Sequence, residues 1–234
     1  MDSITNIRRQ MDEEMARAKS VVLREEIIGL GNPYLDTVID LASLEALTDP
    51  WSFHSGPLLY ARHRLVEHYA WAIPNDEALA IVGQTGKVVE VGAGGGYWAA
   101  LLRARGVEVH AYDPASGKTQ WNKKVWTEVR RGWTKPASDH PDATLFLCWP
   151  SYTSSFARIA LQRYLLAGGK RLVYIGEHEG GCCTDDDFFE ALGERMVEVG
   201  SLGIPMYPGL HDYLTVWEPK STAGGKKSTK ERKP

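Results

Sequence analysis

The residues best suited to chemistry follow the first strongly apolar segment of the sequence. The stretch VVEVGAGGGYWAALL (residues 88–102) places one acid, Glu90, among valines and then four glycines within five positions. A structural turn needs one or two glycines, because only a positive φ angle or a close backbone approach requires the loss of a side chain. The four glycines therefore predict that something other than protein comes close to the backbone there.

Two cofactor classes use such a bend, and the spacing of the glycines separates them. The dinucleotide fingerprint G-x-G-x-x-G, counted from Gly92, requires glycine or alanine where Tyr97 stands. A register from Gly94 through Gly96 to Ala99 satisfies the fingerprint, but its first glycine lies too far beyond the strand. A nicotinamide oxidoreductase is therefore the disfavoured alternative.

The pattern that remains is E-x-G-x-G-x-G, which starts at Glu90, and a second acid, Asp113, ends the next predicted strand. This combination resembles the first motif of the class I S-adenosylmethionine (SAM)-dependent methyltransferases. The resemblance implies that Glu90 helps to anchor the amino-acid end of the cofactor and that Asp113 binds the ribose. A carboxylate suits the second task because it can accept hydrogen bonds from two vicinal hydroxyl groups.

The resemblance covers about residues 77–218 and implies SAM as the cofactor. The expected cofactor contacts are Glu90, Gly92, Ala93, Gly94, Gly96, Tyr97, Asp113, Cys148 and Trp149. The group that meets the adenine after the third strand stays open among Arg130, Gly132, Trp133 and Asp139.

The segment CWPSY (residues 148–152) resembles the [DNS]-P-P-[YFW] loop of amino-methylating enzymes. Trp149 replaces the hydrogen-bonding first residue and Ser151 replaces the second proline, while the aromatic residue is kept as Tyr152. The segment therefore predicts a wall for an apolar or planar methyl acceptor. A nucleic-acid base amino-methyltransferase with a degenerate loop remains an alternative.

Methyl transfer requires alignment of the reacting atoms and, for some acceptors, a base at the same edge of the sheet. The candidate catalytic residues are Tyr152, His211 and Glu177, and a histidine suits proton transfer near neutral pH. Because the loop is altered and the base is not obvious, a non-catalytic SAM-binding partner subunit is the competing interpretation.

Strand and helix patterns alternate from Lys87 onward, and the strands are apolar on both faces. These features predict a doubly wound, mostly parallel α/β sheet of about seven strands, with an N-terminal helical extension. Strands are expected at 88–91, 107–113, near 125–129, 143–150 and 171–177, with one or two more in 204–219. Helices are expected after the glycines, at 156–169 and at 184–200, and the crossover after Asp113 is expected to be short or irregular.

The sequence before the glycines is predicted to be mostly helical. Residues 4–22 carry one apolar stripe, which docks either on the body or on a second subunit as a homodimer. Asn75, Asp76 and Glu77 indicate a helix start. The expected domains are a helical extension (1–76), a SAM-binding Rossmann-like domain (77–219) and a basic disordered tail (220–234).

Composition limits the possible partners. The 234 residues include 43% hydrophobic residues, which is enough for one core, and the net charge is −3. The last fifteen residues carry +5, which leaves −8 on residues 1–219. The acidic body disfavours a duplex nucleic acid and favours a small molecule or an accessible protein side chain as acceptor.

The apolar segments and cysteines predict the compartment. No window is long and apolar enough for a membrane span, and the N-terminus lacks the apolar core of a signal peptide. Three cysteines, two of them adjacent, are typical of a reduced cytoplasmic protein. No metal is expected, because the adjacent Cys182 and Cys183 place their sulfurs awkwardly for one tetrahedral ion.

Overall fold

The computed structural model describes residues 2–49, 51 and 56–221. The helices in these residues are α1 Asp2–Ser20, α2 Pro33–Leu41, α3 Leu44–Thr48, α4 Gly56–His68, α5 Asp76–Val82, α6 Tyr97–Ala104, α7 Lys135–Asp139, α8 Phe156–Leu166 and α9 Asp186–Arg195. The strands are β1 Lys87–Val91, β2 Glu108–Asp113, β3 Arg130–Arg131, β4 Thr144–Cys148, β5 Leu172–Gly176, β6 Met196–Gly203 and β7 Tyr213–Pro219. None of the described helices combines the length and apolarity needed to cross a membrane.

Within the described residues, seven strands form one sheet in the order β3-β2-β1-β4-β5-β7-β6. The first five strands of this order pair in parallel, and β7 runs antiparallel to both β5 and β6. The strand order reverses between β1 and β4, which is where open α/β sheets bind ligands. The glycine bend and the CWPSY segment leave the sheet at this point, so the fold brings them together.

Helices cover both faces of the sheet, as the doubly wound prediction requires. Alternate residues of β1 face opposite layers: Val88 packs with α6 and the N-terminal helices, whereas Val89 and Val91 pack with α8 and α9. All of these valines are buried. The predicted fold class is confirmed.

The N-terminal helices pack directly on the sheet. Tyr34 of α2 and Leu65 of α4 belong to the same buried cluster as Val88 and Phe146 of the sheet. The C-terminal part of α1 joins this cluster through Ala18, while its first turns expose Ile4, Ile7 and Met11. The apolar stripe of α1 is thus only partly used within the chain.

Two predicted element boundaries are wrong. The third strand is Arg130–Arg131 and not 125–129, because residues 119–129 form an irregular segment that packs on the glycine bend. The predicted helix over 184–200 ends at Arg195, since residues 196–203 pair with β7 as a strand.

Other local predictions are confirmed. Asn75 caps α5 by accepting a hydrogen bond from the backbone N–H of Ala78. The sequence offers Thr184 or Asp185 as the cap of α9, and Asp185 is the one that accepts a hydrogen bond, from the backbone N–H of Phe188. No helix intervenes between Asp113 and Arg130, as expected for a short or irregular crossover. The predicted tail lies outside the described residues except for Lys220 and Ser221.

Candidate functional site

The glycine bend connects the buried strand β1 to helix α6 with three glycines in the left-handed region. The φ angles are +85° at Gly92, +54° at Gly94 and +75° at Gly96. A side chain is strained in this region, which explains the alternate spacing of these glycines. The bend also delivers the N-terminus of α6 to the sheet edge where the strand order reverses.

Only part of the bend is open. A Cβ atom on Gly94 would meet nothing within 4 Å, whereas on Gly92 it would lie 3.2 Å from the ring of Phe156. On Gly95 it would collide with the backbone carbonyl of Lys124, and on Gly96 it would lie 2.7 Å from Val129. The lack of a side chain at Gly95 and Gly96 is therefore explained by packing of the chain itself, and the contact of Gly96 with a cofactor stays a prediction that concerns its backbone.

The covering segment consists of residues 119–129 and is fixed on both sides. The Trp126 backbone N–H donates to the carbonyl of Gly95 at 2.8 Å, and its indole N–H donates to the carbonyl of His68 at 2.7 Å. The Arg103 guanidinium of α6 donates to Thr127 Oγ1 at 2.7 Å. This segment therefore ties the glycine bend to α4.

Glu90 lies on β1 directly before the bend and is almost completely buried. Its side chain is 2% exposed, and its Oε2 atom has no hydrogen-bond partner. Burial raises the pKa of Glu90 to about 8; the Asp113 carboxylate adds to the rise, while Arg103 and the backbone N–H of Ala99 oppose it. A buried acceptor without a donor is costly, so this atom is suited to a donor from a ligand.

Asp113 ends β2 and faces the same bend. Its Oδ2 accepts a hydrogen bond from the backbone N–H of Gly94 at 2.9 Å, and its Oδ1 accepts one from Ala115 at 2.8 Å. The carboxylate therefore holds the open part of the bend in place. Each oxygen can accept a second hydrogen bond, so ribose hydroxyls remain compatible with this geometry.

Tyr97, the first residue of α6, directs its side chain away from the bend. Its hydroxyl donates to Asn32 Oδ1 at 2.8 Å and accepts from the backbone N–H of Tyr34 at 2.9 Å. The ring makes edge contacts with Tyr69 and Trp126. The Tyr97 side chain is thus part of the core, and only its backbone can contribute to a cofactor site.

Cys148 and Trp149 stand at the end of β4, beside the bend. Trp149 has a φ of +50°, which is unusual for a large side chain, and its backbone N–H donates to the carbonyl of Ile175. Its indole N–H donates to Asp212 Oδ1 at 2.9 Å, and its ring stacks on Trp71 at 5.4 Å between centroids. Trp149 is therefore held by three contacts.

Glu177 follows β5 and lies close to the residues before β7. It is 6% exposed and accepts backbone hydrogen bonds from Cys182 at 2.7 Å and from His211 at 3.0 Å. Burial acts to raise the pKa of Glu177, but these two N–H groups, the Cys182 side chain and the charge of His211 together lower it. Glu177 is thus a carboxylate whose role within the chain is to hold two loops together.

His211 and Tyr152 are more exposed than expected for catalytic groups. The His211 side chain is 47% exposed, with Nδ1 3.7 Å from Glu177 and its ring beside Trp51. Tyr152 is 64% exposed. The structure therefore groups His211 with Glu177, while Tyr152 lies at the surface of its loop.

Residues 60–161 match the family model described as a methyltransferase domain. This span includes the glycine bend, Asp113 and the end of β4, and the surrounding sheet has the expected class I arrangement. Residues 60–161 are therefore similar to a methyltransferase domain, and the sheet around them has the class I strand order. The resemblance and the assignment as an enzyme made from the sequence are confirmed.

Solved structures resemble the methyltransferase domain in fold at low sequence identity. The magnesium protoporphyrin IX methyltransferase of Synechocystis PCC 6803 with bound SAM has 10% identity and a TM-score of 0.47, covering 94% of this chain and 98% of that one. The N-methyltransferase NodS of Bradyrhizobium japonicum WM9 with S-adenosylhomocysteine has 16% identity and a TM-score of 0.42, covering 76% and 96%. The 1,6-didemethyltoxoflavin-N1-methyltransferase of Burkholderia thailandensis has 17% identity and a TM-score of 0.42, covering 62% and 77%. No curated protein matches the sequence.

The sheet brings most of the predicted site residues to one edge. Glu90, Asp113 and the open part of the bend lie on the β1–β2 side, while Trp149 and Glu177 lie on the β4–β5 side. Of the adjacent pair His211 and Asp212, the sequence favours His211 as a catalytic candidate, whereas the structure buries Asp212. The position of Asp212 directly before an apolar strand is the signal that could have identified it.

Two surface cavities lie away from this edge of the sheet. One, of about 430 Å³, is lined by residues at the amino ends of β1, β4 and β5, including Thr85, Asp142 and Arg171. The other, of about 410 Å³, lies between Leu30, α5 and Arg105. Neither is lined by the glycine bend. Among the described residues, no group of three His, Cys, Asp or Glu side chains is placed to hold a metal ion.

Proposed function

We propose that the chain transfers a methyl group from SAM to a nitrogen or oxygen atom of a small or medium-sized acceptor. Glu90 Oε2 carries this proposal. It is a buried acceptor without a partner, and it stands directly before a bend that is open at Gly94. The ammonium group of an amino-acid ligand would supply the missing donor.

The residues of the bend fit the remaining parts of SAM. Asp113 has acceptor capacity for two ribose hydroxyls, and the partly exposed backbone from Gly92 to Gly94 can lie against the ligand. Trp133 is half exposed beside Phe156, whose ring borders Gly92, so it is our candidate for the adenine contact. When bound, SAM supplies a methyl group already activated by its sulfonium.

The acceptor is proposed to lie on the β4–β5 side, next to Trp149. This side chain is fixed by Trp71 and Asp212, so it can serve as a rigid wall. The chain's contribution to the reaction is then alignment of the acceptor atom and, for a protonated acceptor, removal of one proton. The degenerate-loop alternative for nucleic-acid bases has less support, because the indole N–H of Trp149 is engaged with Asp212 and Tyr152 is exposed.

Calorimetry with SAM and with a nicotinamide dinucleotide tests the cofactor. We expect saturable binding of SAM alone; binding of only the dinucleotide would overturn the proposal. Incubation with methyl-labelled SAM and a cell extract then tests transfer. A labelled product excludes the non-catalytic partner interpretation, whereas SAM binding without any labelled product would support it.

The proposal also includes the compartment, the oligomeric state and the domain boundary of the chain. Free cysteines at positions 148, 182 and 183 favour a reducing, cytoplasmic compartment. The exposed apolar residues at the start of α1 favour a homodimer through that helix. The domain boundary at residue 76 remains a prediction.

A further inference from the structure

Asp212 is a buried acid that binding of SAM does not use. Its side chain is 1% exposed, and only one of its two oxygens has a partner. Oδ1 accepts the Trp149 indole N–H at 2.9 Å, whereas Oδ2 has no hydrogen-bond partner. An unpaired buried carboxylate oxygen is costly to the chain alone, so it indicates a donor that arrives with a ligand.

The two unpaired carboxylates of the site lie close to one side chain. Cys148 is on β4, next to β1, which carries Glu90, and its successor Trp149 binds Asp212. Burial raises the pKa of the Cys148 thiol, and the charges of Glu90 and Asp212 add to this rise. A ligand group at Asp212 would therefore be adjacent to the region that we assign to SAM.

Two charged groups act on Asp212, one negative and one positive. Glu177 is ionised and accepts a backbone N–H on each oxygen, and Arg62 is the positive group, placed over the rings of Trp71 and Tyr207. Burial first, then the charge of Glu177, raises the pKa of Asp212 to about 7, while Trp149 and Arg62 oppose the rise. The other titratable groups that face it are neutral at pH 7: Cys148, Cys182, Cys183, Tyr174 and Tyr207.

We propose that Asp212 Oδ2 receives the amino group of a compact primary or secondary amine, so that the methyl acceptor is a nitrogen atom. This inference rests on the proposed function, because it names the acceptor of that reaction. The amine brings the N–H donor that Oδ2 lacks, and in its protonated form it is attracted by the carboxylates of Asp212 and Glu177. The indole of Trp149, which binds the other oxygen of Asp212, is fixed by its stacking on Trp71.

Asp212 would also act as the base. It accepts one proton from the ammonium group, which yields a neutral carboxyl group and a free amine lone pair. The lone pair forms the new N–CH₃ bond while the bond between the methyl carbon and the sulfonium sulfur breaks, and that electron pair goes to sulfur. The products are a methylated ammonium ion and the thioether.

Other acceptor classes fit less well. A carboxylate acceptor would be repelled by Asp212 and Glu177. An alcohol holds its proton about as strongly as water does, so a carboxylate is a poor base for it. An alkylammonium, with a pKa of about 10.4 in the case of lysine, is a far stronger acid and can transfer its proton to a carboxyl group of raised pKa.

The test uses three probes of one shape: benzylamine, benzyl alcohol and benzoate. Their dissociation constants are measured by ligand-observed NMR with the full chain, alone and with S-adenosylhomocysteine. We expect benzylamine to bind about tenfold or more tightly than benzyl alcohol, because its hydrogen bond to the carboxylate is charge-assisted. Asp212→Asn keeps an oxygen for Trp149 but removes the charge, so it should reduce this preference to about twofold or less. Glu194→Gln, at an exposed acid, is the matched control and should retain the full preference.

The outcomes separate the two proposals. A wild-type chain that binds benzyl alcohol or benzoate as tightly as benzylamine, or that shows no saturable binding of benzylamine, overturns the amine assignment even if SAM binds. An Asp212→Asn chain that retains the full preference overturns the role of Asp212. Failure to bind SAM, measured separately by calorimetry, overturns the proposed function and not the amine preference. If Asp212→Asn does not fold, the wild-type preference alone decides whether the acceptor is an amine.

Discussion

Three acids of the candidate site show how the environment decides what a carboxylate can do. Asp113 is half-buried and accepts two backbone N–H groups, so it shapes the bend. Glu90 and Asp212 are buried with one unpaired oxygen each, so each has acceptor capacity for a ligand. Burial raises the pKa of both unpaired acids.

Asp113→Ala should weaken SAM binding by roughly 1–3 kcal/mol, which is the range for losing hydrogen bonds to a charged group. Part of this loss arises because Asp113 also accepts the backbone N–H of Gly94 and so fixes the shape of the bend. Asp113→Asn, which keeps one acceptor oxygen, should lose less. Calorimetric titration of both variants measures the effect, and an unchanged affinity in the alanine variant would refute the ribose assignment.

Glu90→Gln should make the free energy of unfolding less dependent on pH. In the wild type the folded pKa of about 8 lies above the ordinary value of 4.5, so stability declines as pH rises between these values. Below pH 4.5, Glu90 is protonated in both the folded and the unfolded state, so its burial no longer makes stability depend on pH. Urea denaturation at pH 5 and pH 8 measures the difference, and equal pH slopes in the two proteins would show that Glu90 is not buried as an unpaired acid. The same variant should bind SAM more weakly.

At the scale of elements, residues 119–129 take the place of a regular crossover helix. The segment follows β2 in the chain, contacts α4 and packs against Gly95 and Gly96. Glycine is needed at these two positions because backbone and side chains of the segment occupy the space of a Cβ atom. The bend thus has one protein-facing half and one open half.

Gly94→Ala and Gly95→Ala form a matched pair that separates these halves. Gly95→Ala should destabilise the fold by about 1–3 kcal/mol, because the new Cβ meets the Lys124 backbone and displaces the segment. Gly94→Ala should lower the free energy of unfolding by about 1–2 kcal/mol, because residue 94 has a positive φ. The loss in the free energy of SAM binding should be larger than this loss of stability. Urea denaturation and SAM titration of both variants test this; wild-type stability of Gly95→Ala would contradict the packing of the segment.

At the scale of the whole molecule, the N-terminal extension is joined to the cofactor side through Tyr97. Its hydroxyl binds Asn32 and the backbone of Tyr34, and its ring lies against Tyr69 of the segment after α4. The extension and the sheet therefore share one core, and the helix that follows the glycine bend depends on both.

The chain should unfold in one cooperative transition. Fluorescence and far-ultraviolet circular dichroism should give coincident urea curves, because residues before and after position 76 contribute to one buried cluster. Tyr97→Phe should lower the free energy of unfolding by about 1–3 kcal/mol without splitting the transition, since it leaves buried partners unpaired. Two separate transitions would instead support residues 1–76 as an independent domain.

Local patterns were sufficient for most of the fold. The apolar runs of β1, β4 and β5 and the caps at Asn75 and Asp185 are visible in the sequence, because each depends on neighbouring residues. The third strand was misplaced because β3 has only two residues, and its pairing with Tyr112 and Asp113 is a long-range contact. Residues 196–200 were assigned to a helix because their pairing with β7 has no local signal.

The sequence by itself determined the glycine bend, the two acids at the ends of β1 and β2, and the α/β class, since these follow from spacing and periodicity along the chain. Only the tertiary structure decided which glycines face protein, that the Tyr97 side chain belongs to the core, and that Asp212 rather than His211 is the buried acceptor. The reason is physical: burial and hydrogen-bond pairing are set by residues that are distant in the chain and meet only when the sheet assembles.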